Sequence, residues 1–202
     1  MKFAGWILAL AAVAATPAPA QYVSDVESLI KAVVERDGAT TGNLVRERGT
    51  SLLNSRSVNG ETALITAITA RDDAFTLWLL QKGASPDYAS GDGERPLIAA
   101  ARIGYMDAVE WMLERGAKVD ATNRMGETAL IVAVQQRRGP IVERLLKAGA
   151  NPDLADSAAG YSARDYAKRD SRSRQMLELI ETADAEPKTE KKVEDIDDFK
   201  LK

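Results

Sequence analysis

The feature that most limits how this chain can fold is that it repeats itself every 33 residues. Gly60, Gly93 and Gly126 are 33 apart, and so are Leu64, Leu97 and Leu130, Gly83, Gly116 and Gly149, and Asp87, Asp120 and Asp153. A period of this length marks an array of short supersecondary units rather than one globular core. A single unit cannot cover its own apolar face, so about three or more must stack to be stable. The clear units occupy 59–87, 92–120 and 125–153. A further unit opens at Gly160, one residue late, and a degenerate one occupies about 26–57.

The local chemistry of one unit is legible. Thr62 and Thr128 stand where a helix N-cap belongs, and Pro96 stands where a first-turn proline is tolerated. Arg95 replaces the cap threonine of the unit at 92–120. A short first helix follows, with Leu64, Ala67 and Ile68, or Leu97, Ala100 and Ala101, on its apolar side. A second helix carries Phe75, Leu79 and Leu80, then Val109, Met112 and Leu113, then Ile141, Val142, Leu145 and Leu146. Their helical spacing predicts one buried stripe. Gly83, Gly116 and Gly149 end that helix where a left-handed residue costs little. Loops rich in Asp, Asn, Ser and Gly join the units.

At these residues the chain resembles the ankyrin repeat family. Thr-Ala-Leu-Ile (62–65 and 128–131) and Arg-Pro-Leu-Ile (95–98) are similar to that family's Thr-Pro-Leu-His tetrapeptide. Leu-Leu…Gly-Ala (79–84 and 145–150) and Met-Leu…Gly-Ala (112–117) are similar to its helix end. Ser162-Ala163-Arg164-Asp165-Tyr166-Ala167 resembles the divergent start of a C-terminal capping repeat. The resemblance covers about 26–182. It implies an all-α fold, an α-solenoid of stacked helix–turn–helix repeats with projecting hairpin loops, whose concave face binds proteins. The chain departs from the pattern where the family has His: Ile65, Ile98 and Ile131 stand there. An aliphatic contact must replace the hydrogen bonds that the family's His makes.

Composition narrows the chemistry. The 202 residues include no Cys and no His. Thiol nucleophiles, disulfides, imidazole bases and zinc–thiolate sites are therefore excluded. The net charge of −3 argues against a global grip on nucleic acid. No cofactor or metal is expected. The Asp87, Asp120 and Asp153 column matches no calcium loop and is expected to brace turns.

The two ends read differently from the array. Lys2, the uncharged run Phe3–Ala15, and small residues at Ala18 and Ala20 have the layout of a secretory signal. The thirteen-residue run is too short to span a bilayer comfortably. Residues 1–20 are thus expected to be a cleaved signal peptide and 21–183 the repeat domain, monomeric and not inserted in a membrane. This gives a secreted chain, in the periplasm if the source is bacterial. Residues 184–202 read as a charged tail, with Ile196 and Phe199 set among Glu194, Asp195, Asp197 and Asp198. Arg102, Arg137 and Arg138 offer these acids a counter-charge, so the tail is a candidate to dock on the inner face.

By register, the candidate partner-binding residues lie on the hairpin fingers and first helices. They are Tyr88, Asp92, Arg95, Arg102, Ile103, Asn123, Arg124, Met125, Gln135 and Gln136. Aromatic, Met and Arg side chains are enriched at protein interfaces, which favours Tyr88, Ile103, Met125 and the arginines. Trp78 and Trp111 are 33 apart and are expected to pack between second helices, with Leu77 pointing outward. The resulting reading is a non-catalytic scaffold for an unidentified protein partner. A chaperone or spacer of the cell envelope is the alternative. A carboxylate-based hydrolase would need two convergent acids in a deep cleft.

Overall fold

The computed structural model describes residues 19–185. Residues 1–18 of the expected signal peptide 1–20, and residues 186–202 of the expected tail 184–202, lie outside the described residues. Among the described residues ten α-helices follow one another: α1 Pro19–Val34, α2 Gly38–Arg48, α3 Ala63–Thr69, α4 Asp73–Gln81, α5 Pro96–Ile103, α6 Met106–Glu114, α7 Ala129–Gln135, α8 Gly139–Lys147, α9 Ala163–Arg169 and α10 Arg174–Ala185. Short 3-10 turns occupy Thr50–Asn54 and Ser171–Ser173. Among the described residues there is no sheet, only an isolated antiparallel bridge between Ala155 and Ser162.

The helices pair as five units. First helices stack in the order α1, α3, α5, α7, α9, and second helices stack α4 on α6, α6 on α8 and α8 on α10. The predicted all-α solenoid is therefore the observed one. Thr62 Oγ1 accepts the Ile65 N–H at 3.3 Å and Thr128 Oγ1 accepts the Ile131 N–H at 3.2 Å. Arg95 makes no such bond, and Pro96 opens α5 instead. Ser162 caps α9 through a reciprocal box with Asp165.

The core follows the register. Leu64, Leu97 and Leu130 are all buried, and α7 is buried from Ala129 to Val134 because repeats cover it on both sides. On the second helices the buried columns are Thr76, Val109 and Val142, and Leu79, Met112 and Leu145. Phe75, Leu113 and Leu146, expected in that stripe, are only half-buried. An outer helix is covered on one side, so a wide apolar stripe leaves its margins open. Leu77 is half-buried rather than turned fully outward. Trp78 and Trp111 are half-buried against the core, and Trp111 meets Tyr105 edge to face at 6.0 Å.

The first unit departs from the expected boundary. Its first helix starts at Pro19, not near Val26, and runs 16 residues where α3 and α7 have 7. The unit's loop still keeps register, because Asn54 does the work of the Asp column. Asn54 Oδ1 accepts the Ser85 N–H at 2.7 Å, Asp87 Oδ1 the Lys118 N–H at 3.0 Å, and Asp120 Oδ1 the Asn151 N–H at 2.9 Å. The column thus braces one repeat against the next. At the far end α10 continues through Ala185, and Asp184 pairs with Arg164 at 2.8 Å.

A second column is formed by the turns between the helices of a unit. Arg71, Gly104 and Arg137 are 33 apart, and all have left-handed backbones, with φ of 52°, 71° and 52°. Arg71 reaches the carbonyl of Ile103 in the next repeat, and Arg137 reaches Asp170 Oδ2 at 2.7 Å. These side chains staple neighbouring repeats, which offsets the unfavourable φ of a residue with a Cβ.

Candidate protein-binding groove

Four hairpin fingers project beside the first helices. Ser57, Ser90 and Asn123 donate their backbone N–H to Glu61, Glu94 and Glu127 carbonyls at 2.9, 2.8 and 3.0 Å. In the fourth finger Asp156 donates to Tyr161 at 3.0 Å, which absorbs the one-residue lateness of Gly160. The side chains at these four positions brace the same turns. Ser57 Oγ accepts the Glu61 N–H at 3.0 Å, and Asn123 Oδ1 accepts the N–H groups of Met125 and Glu127, both at 3.0 Å. Asp156 Oδ1 accepts those of Ala159 and Gly160 at 2.7 and 3.1 Å. Ser90 donates its hydroxyl to the Asp92 carboxylate, which also accepts the Glu94 N–H.

Neighbouring fingers touch through their backbones. The Gly91 N–H reaches the Gly60 carbonyl at 2.7 Å, and the Ser157 N–H reaches Met125 O at 2.8 Å. A Cβ on Gly60 would lie 2.9 Å from the Gly91 Cα, so that approach requires glycine. The fingers form one braced wall.

Fingers and first helices together enclose an open groove of about 590 Å³. Ile65, Thr66 and Thr69 of α3 and Ala99, Arg102 and Ile103 of α5 form its helical side. Asn59, Glu61, Asp92, Glu94 and Met125 line its finger side. Four expected site residues therefore converge: Asp92, Arg102, Ile103 and Met125. Met125 is 50% exposed, so its side chain is open to a partner. Tyr88, Arg95, Asn123, Arg124, Gln135 and Gln136 are not among the lining residues.

Several of those six also have structural work within the fingers. Arg95 donates to Thr122 O at 2.7 Å and Asp87 O at 2.8 Å, and Arg124 donates to Gly91 O at 2.7 Å. Arg56 lies over the Tyr88 ring at 4.8 Å. Arg102 is inside the groove, but it faces Glu94 at 3.1 Å and Glu127 at 3.5 Å. Burial would weaken its hold on the proton, yet the Glu94 and Glu127 carboxylates outweigh that and fix its charge. Arg137 is bound to Asp170. The cations invoked for docking the acidic tail are thus largely engaged already.

Residues missed as contacts include Ile65. Its equivalents Ile98 and Ile131 are buried, whereas Ile65 is half-buried and forms groove floor. The 33-residue register pointed to all three alike, and only their neighbours distinguish them.

The groove is acidic, with Glu61, Asp92 and Glu94 against the one engaged Arg102. The Ser90 hydroxyl and the Glu94 N–H hold Asp92 below the usual carboxylate range. That makes it an ionised acceptor, the reverse of what a general acid needs. Among the described residues no group of three or more His, Cys, Asp or Glu could hold a metal ion, and no helix is long and apolar enough to cross a membrane. On the opposite side, Phe75, Trp78, Ala74 and Gly38 line an apolar notch of about 160 Å³.

A family model for ankyrin repeats in three copies matches residues 24–123 and 70–156. Stacked helix pairs, braced fingers and this match make one assignment: the chain belongs to the ankyrin repeat family. Ankyrin repeats mediate protein binding. The structure adds the helix pair α9 and α10 beyond the matched residues. No curated protein matches the chain.

Proposed function

We propose that this chain is a non-catalytic scaffold that binds a protein partner in the groove between its fingers and first helices. The observation that carries this reading is the convergence of Ile65, Ile103 and half-exposed Met125 in one open groove with a rigid wall. A preformed apolar surface rimmed by polar groups is suited to burying a partner side chain without costly reordering. The openness of the groove and the ionised state of Asp92 do not favour hydrolysis. An envelope chaperone or spacer would instead use dispersed apolar patches and bind many chains weakly.

The proposed place of action is outside the cytoplasm, in the periplasm of a bacterial source. Lys2, the run Phe3–Ala15 and the small residues Ala18 and Ala20 support it. Cleavage after Ala20 would take two residues from α1 and leave its buried Asp25, Val26, Leu29, Ile30, Ala32 and Val33 in the mature chain. N-terminal sequencing of the fractionated protein checks this. A mature chain starting at Gln21 is expected, and an intact Met1 chain in the cytosol contradicts it.

The binding claim is tested by quantitative capture from a native extract, comparing the wild type with a Thr69→Trp variant. Thr69 is exposed on the groove side of α3, so Trp there fills the groove while leaving the core alone. One stoichiometric partner lost by the variant is expected. Many weak partners retained by both proteins would favour the chaperone reading.

A further inference from the structure

We infer that the occupant of the groove is a basic segment of the partner that carries one apolar anchor residue. The inference rests on the groove being the binding site and concerns the chemistry of what it takes.

Charge decides the class of occupant. The groove has three lining carboxylates and one lining cation. The cation, Arg102, is shared between Glu94 and Glu127, so it has little to offer an incoming anion. Those two carboxylates are spent on it in turn. Glu61 is different: its side chain is exposed and makes no hydrogen bond or ion pair among the described residues, while its backbone takes part in the finger. Asp92 is exposed too; its hydrogen bonds with Ser90 and Glu94 use one carboxylate oxygen, Oδ1, and the Arg124 guanidinium, itself bonded to Gly91 O, adds a nearby positive charge that leaves the second oxygen open to a partner. The groove therefore presents two available anionic acceptors on adjacent fingers and no free cation among its lining residues. An acidic segment would meet like charge at both positions, which disfavours it.

The floor decides the rest. Ile65 and Ile103 come from adjacent first helices, and Met125 overhangs from the next finger. An unbranched, polarisable Met adapts its shape to an apolar partner side chain. A segment that seats one Leu-, Met- or Phe-like residue on these three, with Lys or Arg beside it, matches both features. Arg is favoured, since its planar fork pairs with carboxylates in a bidentate manner.

The test is selection of random displayed peptides on the immobilised full chain, followed by affinity measurements on synthetic copies. Three proteins are compared: wild type, Glu61→Gln with Asp92→Asn, and Thr69→Trp. Glu61→Gln removes no internal bond and Asn at 92 can still accept from Ser90, so both are expected to fold; thermal melts verify it. Selected peptides should carry Lys or Arg beside an apolar residue. They should bind the double variant about five- to tenfold more weakly, and lose affinity as salt rises. Thr69→Trp should abolish binding. Neutral or acidic peptides that Thr69→Trp blocks, but that ignore the double variant, would overturn the charge assignment and leave the groove standing. Peptides insensitive to both variants, or no groove-dependent peptide at all, would overturn the groove reading as well.

Discussion

Asp120 Oδ1 accepts the backbone N–H of Asn151 at 2.9 Å, across the boundary between two repeats. The bond recurs one repeat earlier from Asp87 to Lys118, and once more from Asn54 to Ser85. What is shared is an oxygen acceptor at one distance along the chain, not a charge. Asp120→Ala should therefore destabilise the array by about 1 kcal/mol, the net scale of one hydrogen bond. Asp120→Asn should be nearly neutral, as Asn54 shows. Urea denaturation of the two variants measures this, and equal losses would contradict the acceptor role.

The left-handed arginines predict an order between two variants. Arg137→Ala loses the pair with Asp170 and keeps a Cβ at φ 52°. Arg137→Gly loses the same pair but removes the steric cost. The Gly variant should thus be the more stable by about 1 kcal/mol, even though Gly has the more flexible unfolded chain. Gly104 already occupies the equivalent turn one repeat back. Thermal melts of both variants decide it, and an Ala variant equal to or above Gly would show that the turn is unstrained.

Acid should loosen the last repeat first. Arg164 holds Asp153 below its ordinary range, the Ser162 hydroxyl does so for Asp165, and the Arg172 N–H with Arg137 does so for Asp170. Burial pushes Asp156 up, but the Tyr166 hydroxyl and the amides of Ala159 and Gly160 outweigh it. A carboxyl depressed in the folded state contributes stability that is complete above its unfolded value of about 3.9. That stability is lost as pH falls through the lower folded value. Below about pH 4, amide exchange in α9 and α10 should therefore accelerate before that in α5 and α7. Uniform acceleration would contradict this.

Core truncation should be felt along the whole array. Leu97→Ala and Leu130→Ala should each cost about 2–5 kcal/mol, a large part of a domain's usual ~5–15 kcal/mol. Leu97 and Leu130 are among the buried residues of the central stack, where each repeat covers the next. Calorimetry would register this as a lower Tm. An unchanged Tm would contradict the register on which the fold rests.

The period made the helix pairs legible, because buried columns such as Leu64, Leu97 and Leu130 must recur wherever identical neighbours stack. Roles shared by different side chains were harder to see. Ser57, Ser90, Asn123 and Asp156 brace equivalent turns with three residue types between them. Arg71 and Arg137 take a conformation that sequence patterns reserve for glycine. The groove was legible in part: Met125 and Ile103 line it, whereas Arg95 and Arg124 are held by carbonyls of the neighbouring finger. Such bonds depend on how closely two repeats approach, which no single repeat encodes. The long α1 was missed because a capping unit has solvent on one side, so its pattern need not match the interior repeats.

The central claim is that partner binding uses the groove and not the outer helices. Hydrogen exchange of the captured complex, against the free chain, tests it most directly. Protection is predicted at 59–69, 90–103 and 123–127, with α4, α6 and α8 unchanged. Protection confined to α4 and α6, around Trp78 and Trp111, with the groove exchanging freely, would contradict the account.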